Sequence, residues 1–185
     1  MPDAPSLPEP LAQGDLARTP FAHLLLYIQR RGLEGTLVLW DPEAAEGRPK
    51  QDRILFRRGA PATGRLREPT SRLERGLLPL FARPRGPYAF YAGVDLAGEG
   101  AVPAEGVDVA SLIAASLRGS SRDDVVDRVV HAFEERPLRV TGNAALAAVE
   151  LLPEERACVE LLRAEPQSVR ALAELSPLEE RRVRR

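Results

Sequence analysis

The sequence contains few of the side chains on which enzyme active sites most often depend. It has one cysteine, Cys158, and two histidines, His23 and His131, among 185 residues. A single cysteine excludes an intramolecular disulfide and a zinc site built from the cysteines of one chain. The histidines lack the spacing of zinc enzymes, and phosphate-binding glycine loops and the Gly-x-Ser-x-Gly elbow are missing. We therefore expect no catalytic residue, no cofactor and no metal.

Long apolar runs and a dominant charge are also absent. No stretch approaches the roughly 18 consecutive apolar residues that predict a membrane helix. The formal net charge is −1, from 26 basic and 27 acidic residues, so no overall field attracts nucleic acid or an anionic membrane. Residues 1–13 contain four prolines and lack the basic start and apolar run of a secretory signal. We expect a disordered segment at 1–13 and a soluble, cytoplasmic protein.

The first strong element in the sequence is an amphipathic helix. We expect Thr19 to cap it, Pro20 to occupy its first position and Gly32 to end it. Its apolar residues recur with the spacing of one helical face, at Phe21, Leu24, Leu25 and Ile28.

Short apolar and alternating segments then predict an antiparallel meander. Its strands are expected at residues 35–40, 53–57 and 60–66. Arg58 and Gly59 form the expected tight turn, because glycine allows the positive φ that such a turn needs. Ser71 and Glu74 have the spacing of a capping box, which predicts the start of a second helix.

A further strand is expected at residues 88–92, and the second half of the chain has mainly helical patterns. The predicted fold class is therefore α+β, a small antiparallel sheet with flanking helices followed by a mainly helical part. The predicted organisation is a disordered segment, an α/β domain, a glycine-containing linker and a helical domain, at 1–13, 14–98, 99–106 and 107–185.

The first half has the motif order of a known family. The segments that carry it are Gly14–Phe21 (GDLARTPF), Leu24–Ile28 (LLLYI), Gly35–Leu39 (GTLVL) and Arg53–Pro61 (RILFRRGAP). Between Gly14 and Leu96 the chain resembles the PATAN domain family, with its short G-x-L strand, a helix, G-x-L-x-L, and I-x-F-x-x-G before a further strand. The helical part resembles the extension that follows this domain in myxobacterial-type proteins.

The resemblance implies a regulatory adaptor without established catalysis. One feature departs from the family pattern, because the connection Asp41–Gln51 is longer than the usual hairpin. This loop is either a local contact site or an insertion without a role.

Five arginines cluster around the predicted hairpin and form the candidate interaction surface. They are Arg53, Arg57, Arg58, Arg65 and Arg67. Two readings stay open, a site for an anionic partner and the solvated side of a half-exposed sheet.

The C-terminal end carries a second basic group. Three helices are expected there, beginning at Pro153, Ser168 and Ser176, in the order of a helix-turn-helix or an incomplete winged helix. The last reaches Arg185 after barely two turns, so we expect the chain to continue in a longer protein. The candidate nucleic-acid contacts on it are Arg181, Arg182, Arg184 and Arg185.

The sequence thus favours a non-catalytic protein–protein interaction module of a bacterial signalling or regulatory protein. The expected partner is another protein or a second copy of this chain, and no membrane partner is expected. The alternative is a DNA-binding regulator that uses the C-terminal helices. The two functions can be distinguished by the salt dependence of binding, because DNA binding weakens steeply as the salt concentration rises.

Overall fold

The computed structural model divides the chain into two compact units, residues 1–113 and 114–185. The boundary lies within a helix, α3 (Val109–Gly119). The structure describes residues 8–41, 51–67, 72–98, 101–103, 107–119, 134–141, 149 and 151–175.

The first unit is built on a six-stranded sheet in which all neighbouring strands are antiparallel. Its strands are β1 (Ala12–Asp15), β2 (Gly35–Trp40), β3 (Gln51–Arg57), β4 (Ala60–Arg65), β5 (Pro87–Ala92) and β6 (Val102–Pro103). Their order across the sheet is β1-β5-β2-β3-β4-β6. The predicted meander forms its centre, and the predicted α+β class is confirmed.

Three helices cover one side of this sheet, which we call the core face. They are α1 (Phe21–Arg31), α2 (Leu73–Phe81) and α3. All four predicted apolar residues of α1 are buried. The start of α1 meets the end of α2, where the rings of Phe21 and Phe81 pack edge-on with their centres 5.0 Å apart. Leu37 of β2 and Phe56 of β3 are fully buried in the same core. Side chains alternate along a strand, so their neighbours face the other side.

The opposite side of the sheet, which we call the strap face, is partly covered by the segment 93–98 (the strap). Val94 and Leu96 of the strap pack on a small apolar cluster that includes Val38 and Tyr91. Thr36, which is fully buried, fixes the strap, since its Oγ1 donates to the Val94 carbonyl at 2.6 Å and accepts the Leu96 N–H at 3.0 Å.

The structure differs from the sequence expectation at both ends of the first unit. Ala12 and Gln13 belong to β1 rather than to the disordered segment, because the sheet edge at β5 gives their backbone groups partners. Residues 1–7 lie outside the described part. Val102 and Pro103, expected in the linker, pair with β4 as β6. The first unit also includes the start of α3, whose Val109 and Leu112 are buried in its core.

Helix boundaries show a smaller difference. α1 begins at Phe21 with Pro20, not Thr19, at the cap, and no side chain caps it. Pro20 has extended geometry with ψ 150°, and its carbonyl accepts the His23 and Leu24 N–H groups. The predicted end is confirmed, because Gly32 has the left-handed φ of 58°. Ser71 of the predicted capping box lies outside the described residues.

The described part of the second unit contains α4 (Pro153–Ala164) and α5 (Val169–Leu175). Ser168 caps α5, its Oγ accepting the Ala171 N–H at 3.1 Å. Leu138 forms an antiparallel bridge with Gln167. The helices of the described part of the chain are all too short or too polar to span a membrane.

Candidate interaction surface

The five hairpin arginines do not form a single surface in the structure. Arg53 and Arg57 alternate with the core-facing Ile54 and Phe56 of β3, so both belong to the strap face. Arg65 is the direct cross-strand neighbour of Arg53. The remaining two lie elsewhere, in the hairpin turn (Arg58) and beyond the end of β4 (Arg67).

Arg53 has a structural role on the strap face. Its Nη1 donates to the Leu96 carbonyl at 2.9 Å, and its Nε donates to Gln51 Oε1 at 3.1 Å. The guanidinium therefore holds the strap beside Thr36. Arg65 is exposed opposite it, and like charges that face each other across strands oppose sheet formation by roughly 0.2–1 kcal/mol.

Arg67 belongs to a partly buried network of alternating charges at the open end of the β3–β4 hairpin. Its side chain pairs with Asp41, and its backbone N–H donates to Asp52 Oδ1 at 2.7 Å. Asp52 is 3 % exposed, and its Oδ2 accepts Arg83 Nη2 at 2.6 Å. We call these four residues the open-end network. It gives Arg67 structural partners at this end of the hairpin.

The open-end network borders a cavity of about 280 Å³. The Arg83 side chain is 12 % exposed, and its Nη1 is buried without a hydrogen-bond partner. Removing one member of such a buried pair leaves an uncompensated charge, which is more costly than losing an exposed pair. Sequence reasoning missed this network. The sequence contained one indication of the network, since the acidic Asp52 alternates along β3 with the same spacing as the core-facing Ile54 and Phe56.

The turn end of the same hairpin is different. Arg57 and Arg58 are exposed, and neither side chain has a hydrogen bond or ion pair with a residue that the structure describes. Arg58 has φ 51° and Gly59 φ 79°, the two positive values of a two-residue hairpin turn. A non-glycine residue in this region costs of the order of 1 kcal/mol, and asparagine is tolerated better than arginine.

This turn packs directly against the last turn of α1. A Cβ atom placed on Gly59 would lie 2.8 Å from Gln29 Cα and 2.9 Å from the Gln29 carbonyl oxygen. The Gly59 N–H donates to the Leu33 carbonyl at 3.1 Å. Contact this close is possible because glycine has no side chain. It brings Arg57 and Arg58 beside the end of the helix.

The end of α1 adds two more exposed arginines and an aromatic ring. Arg30 and Arg31 occupy the last turn of the helix, and Tyr27 is 54 % exposed. The Arg31 guanidinium lies 5.8 Å from the centre of the Tyr27 ring, within the range of a cation–π contact. We call the exposed residues of these two adjoining chain segments, Tyr27, Arg30, Arg31, Arg57 and Arg58, the basic end surface.

Two carboxylates border the basic end surface. Glu34 and Asp95 line, together with Arg57 and Arg58, a groove of about 530 Å³. The Asp95 carboxylate accepts the Ala97 N–H at 3.0 Å within the strap. The groove at the turn therefore combines two arginines with two carboxylates. Sequence reasoning missed the helical part of the basic end surface, although a basic pair beside the apolar stripe was the available signal.

The other side chains considered from the sequence are separate from this surface or lie outside the described residues. His23 is exposed on the first turn of α1, and Cys158 is partly buried in α4. His131 lies outside the described residues, as do the four C-terminal arginines, Arg181, Arg182, Arg184 and Arg185. The chain matches no protein-family model, no curated protein and no solved structure.

Proposed function

We propose that this chain is a non-catalytic protein–protein interaction module of a bacterial signalling or regulatory protein, and that the basic end surface is its docking site. The observation that carries the proposal is the convergence of Arg30 and Arg31 with Arg57 and Arg58. The two pairs are far apart in the sequence, and the contact between Gly59 and Gln29 brings the backbone of the turn to the last turn of the helix that carries Arg30 and Arg31.

The composition of this surface supports binding to a protein. Arginine and tyrosine are enriched among the residues that contribute most to protein–protein affinity. Both belong here to regular elements, since Tyr27 lies on a helix and Arg57 ends a strand. A surface on such elements loses little conformational entropy when a partner binds.

The resemblance to the PATAN family supports the adaptor part of the proposal. The family order is a short strand, a helix, a strand and a hairpin, and the first unit contains β1, α1, β2 and β3–β4 in that order. A cytoplasmic location is part of the proposal, and the single cysteine of the chain supports it.

The test is an affinity pulldown from a bacterial lysate, with the full chain as bait and with nuclease-treated and untreated arms. We expect defined proteins that survive nuclease and that Arg57→Glu no longer retains. Arg65→Glu is the matched control. It makes the same charge change in the same hairpin, opposite Arg53, which is four residues from Arg57 and so roughly 13 Å away at about 3.3 Å per residue.

Three outcomes separate the candidate functions. Partners lost with Arg57→Glu and kept with Arg65→Glu support the proposal. Equal loss with both variants would extend the docking site along the whole hairpin, as the sequence first predicted. Recovery of nucleic acid alone, with all proteins lost after nuclease treatment, would contradict a protein interaction module and favour the DNA-binding alternative.

A further inference from the structure

We infer that the groove at the turn end of the β3–β4 hairpin binds a segment of a partner protein that carries an acidic and a basic side chain close together. The inference rests on the proposed function and narrows the docking site to the groove that Arg57 and Arg58 share with Glu34 and Asp95. The two signs of charge, and the strands that carry them, determine the chemistry of this partner.

The two signs of charge lie on different sides of the groove. The groove crosses the ends of three neighbouring strands, in the order β5, β2 and β3. Arg57 ends β3 and Arg58 follows it, whereas Glu34 precedes β2 and Asp95 belongs to the strap that follows β5. β3 and β5 are two strand spacings apart, which is roughly 10 Å. The basic groups therefore belong to the β3 side and the acidic groups to the β2 and β5 side.

These opposite charges are not paired with each other. Gly35 and Phe56 are cross-strand neighbours. Glu34 and Arg57 occupy the next position of the same register, where opposite charges attract. Neither side chain forms an ion pair or a hydrogen bond with a described residue, and the same is true of Arg58. A partner therefore meets exposed groups of both signs that have no such contact within the described part of the chain.

The turn itself gives no reason for an arginine in the groove. Arg58 is the one non-glycine residue with positive φ among the residues that the structure describes. Asparagine or glycine adopts such a conformation with less strain. The neighbouring Gly59 N–H is hydrogen-bonded to the Leu33 carbonyl, which fixes the turn whichever side chain precedes it. A binding role explains why a guanidinium occupies this position.

A segment with both charges fits this groove better than a partner of one sign. The carboxylates of a purely acidic segment, or the phosphates of nucleic acid, would attract the arginines but be repelled by Glu34 and Asp95. A purely basic segment would be repelled by Arg57 and Arg58. A segment with both signs can place each charge beside its opposite, and such complementarity fixes the register of a bound partner.

The shape of the groove favours a protein segment over a small molecule. Pockets for small molecules enclose most of the surface of their ligand, whereas the four charged residues of this groove are exposed. Gly93 lies on the strap side of the groove, and a Cβ atom there would meet no atom within 4 Å. The strap side is therefore open to the passage of a chain.

The first experiment titrates the isotopically labelled full chain with three synthetic peptides of equal length and follows its amide signals by NMR. The mixed peptide alternates glutamate and lysine. The acidic peptide has glutamine in place of lysine, and the basic peptide has glutamine in place of glutamate. We expect the mixed peptide to shift the amide signals of Gly35 and Gly93, which line the groove. Each one-sign peptide should bind at least roughly tenfold more weakly at low salt, because charge-assisted contacts are lost.

Two variants test the two sides of the groove. Arg58→Asn removes the guanidinium and suits the positive φ, and Glu34→Gln removes a carboxylate at nearly constant size. We expect each to weaken binding of the mixed peptide by roughly tenfold. With the acidic peptide the two should differ in sign, since Glu34→Gln removes a repulsion and Arg58→Asn an attraction. Arg65→Asn and Glu74→Gln are the matched controls, on β4 and on α2 at the core face, and should leave binding unchanged.

Equal binding of the mixed and the acidic peptide would overturn the inference, and so would the absence of binding of the mixed peptide at low salt. Unchanged binding in both groove variants would also overturn it. If the pulldown recovers proteins that Arg57→Glu loses but that Arg58→Asn and Glu34→Gln still retain, the interaction function stands and the mixed-charge inference falls. If no protein is recovered, the proposed function itself fails.

Discussion

The two ends of the β3–β4 hairpin use the same residue type for opposite purposes. At the open end, Arg67 and Arg83 are paired with Asp41 and Asp52 and are partly shielded from solvent. At the turn end, Arg57 and Arg58 are exposed and have no such partner among the described residues. Pairing and burial, not residue type, therefore distinguish the arginines that hold the fold together from those that remain exposed.

The largest expected effect on stability is at the open end. Asp52→Asn removes the charge that faces Arg83, which leaves a buried guanidinium uncompensated, so we expect a loss of about 3–5 kcal/mol in the free energy of unfolding. The measurement is denaturant unfolding followed by the fluorescence of Trp40, the one tryptophan of the chain. Adding Arg83→Met to Asp52→Asn should recover much of the loss. A loss below about 0.5 kcal/mol for Asp52→Asn would mean that the pair has no structural role.

The next effect concerns the contact that creates the basic end surface. Gly59→Ala adds a Cβ atom at φ 79° and 2.8 Å from Gln29 Cα, so we expect a destabilisation of about 2–3 kcal/mol. Gly32→Ala is the matched control, because Gly32 also has a positive φ but a Cβ atom there meets no atom within 4 Å. Denaturant unfolding of both variants measures the difference. Equal losses of unfolding free energy in the two variants would show that a side chain at position 59 does not clash with α1.

Arg53 and Arg65 face each other between the two ends of the hairpin. A substitution at Arg65 should increase the stability, whereas the two changes above lower it. Arg65→Glu replaces a like-charge cross-strand pair with an attractive one, and we expect a gain of about 0.2–1 kcal/mol. The gain should shrink in high salt, because the pair is partly exposed. Urea unfolding at two salt concentrations measures it. A loss of stability would mean that Arg65 has a favourable partner in the folded chain.

The smallest expected effect on stability is at the turn end. Arg57→Glu should change the free energy of unfolding by less than about 0.5 kcal/mol, since an exposed side chain without partners contributes little. The same substitution should abolish the partner capture described above. Thermal unfolding checks the first expectation and the pulldown the second. A large loss of stability would assign Arg57 a structural role and weaken its place in the docking site.

Periodic patterns determined much of the first unit before any tertiary information. The stripe from Phe21 to Ile28 defined one helical face, and Gly35–Trp40 formed the predicted strand. Arg58 and Gly59 formed the predicted turn. Each of these follows from interactions within a few residues, which is why the local sequence was sufficient.

Only the tertiary structure decided which strands form the edges of the sheet and which arginines are paired with carboxylates. β1 and β6 are too short to carry a periodic signal and exist because β5 and β4 give their backbones partners. Asp52 and Arg83 are 31 residues apart, and the contact of Gly59 with Gln29 joins two separate elements. Pairing over such distances depends on how the sheet and helices pack, and the spacing of residues along a single segment does not contain that information.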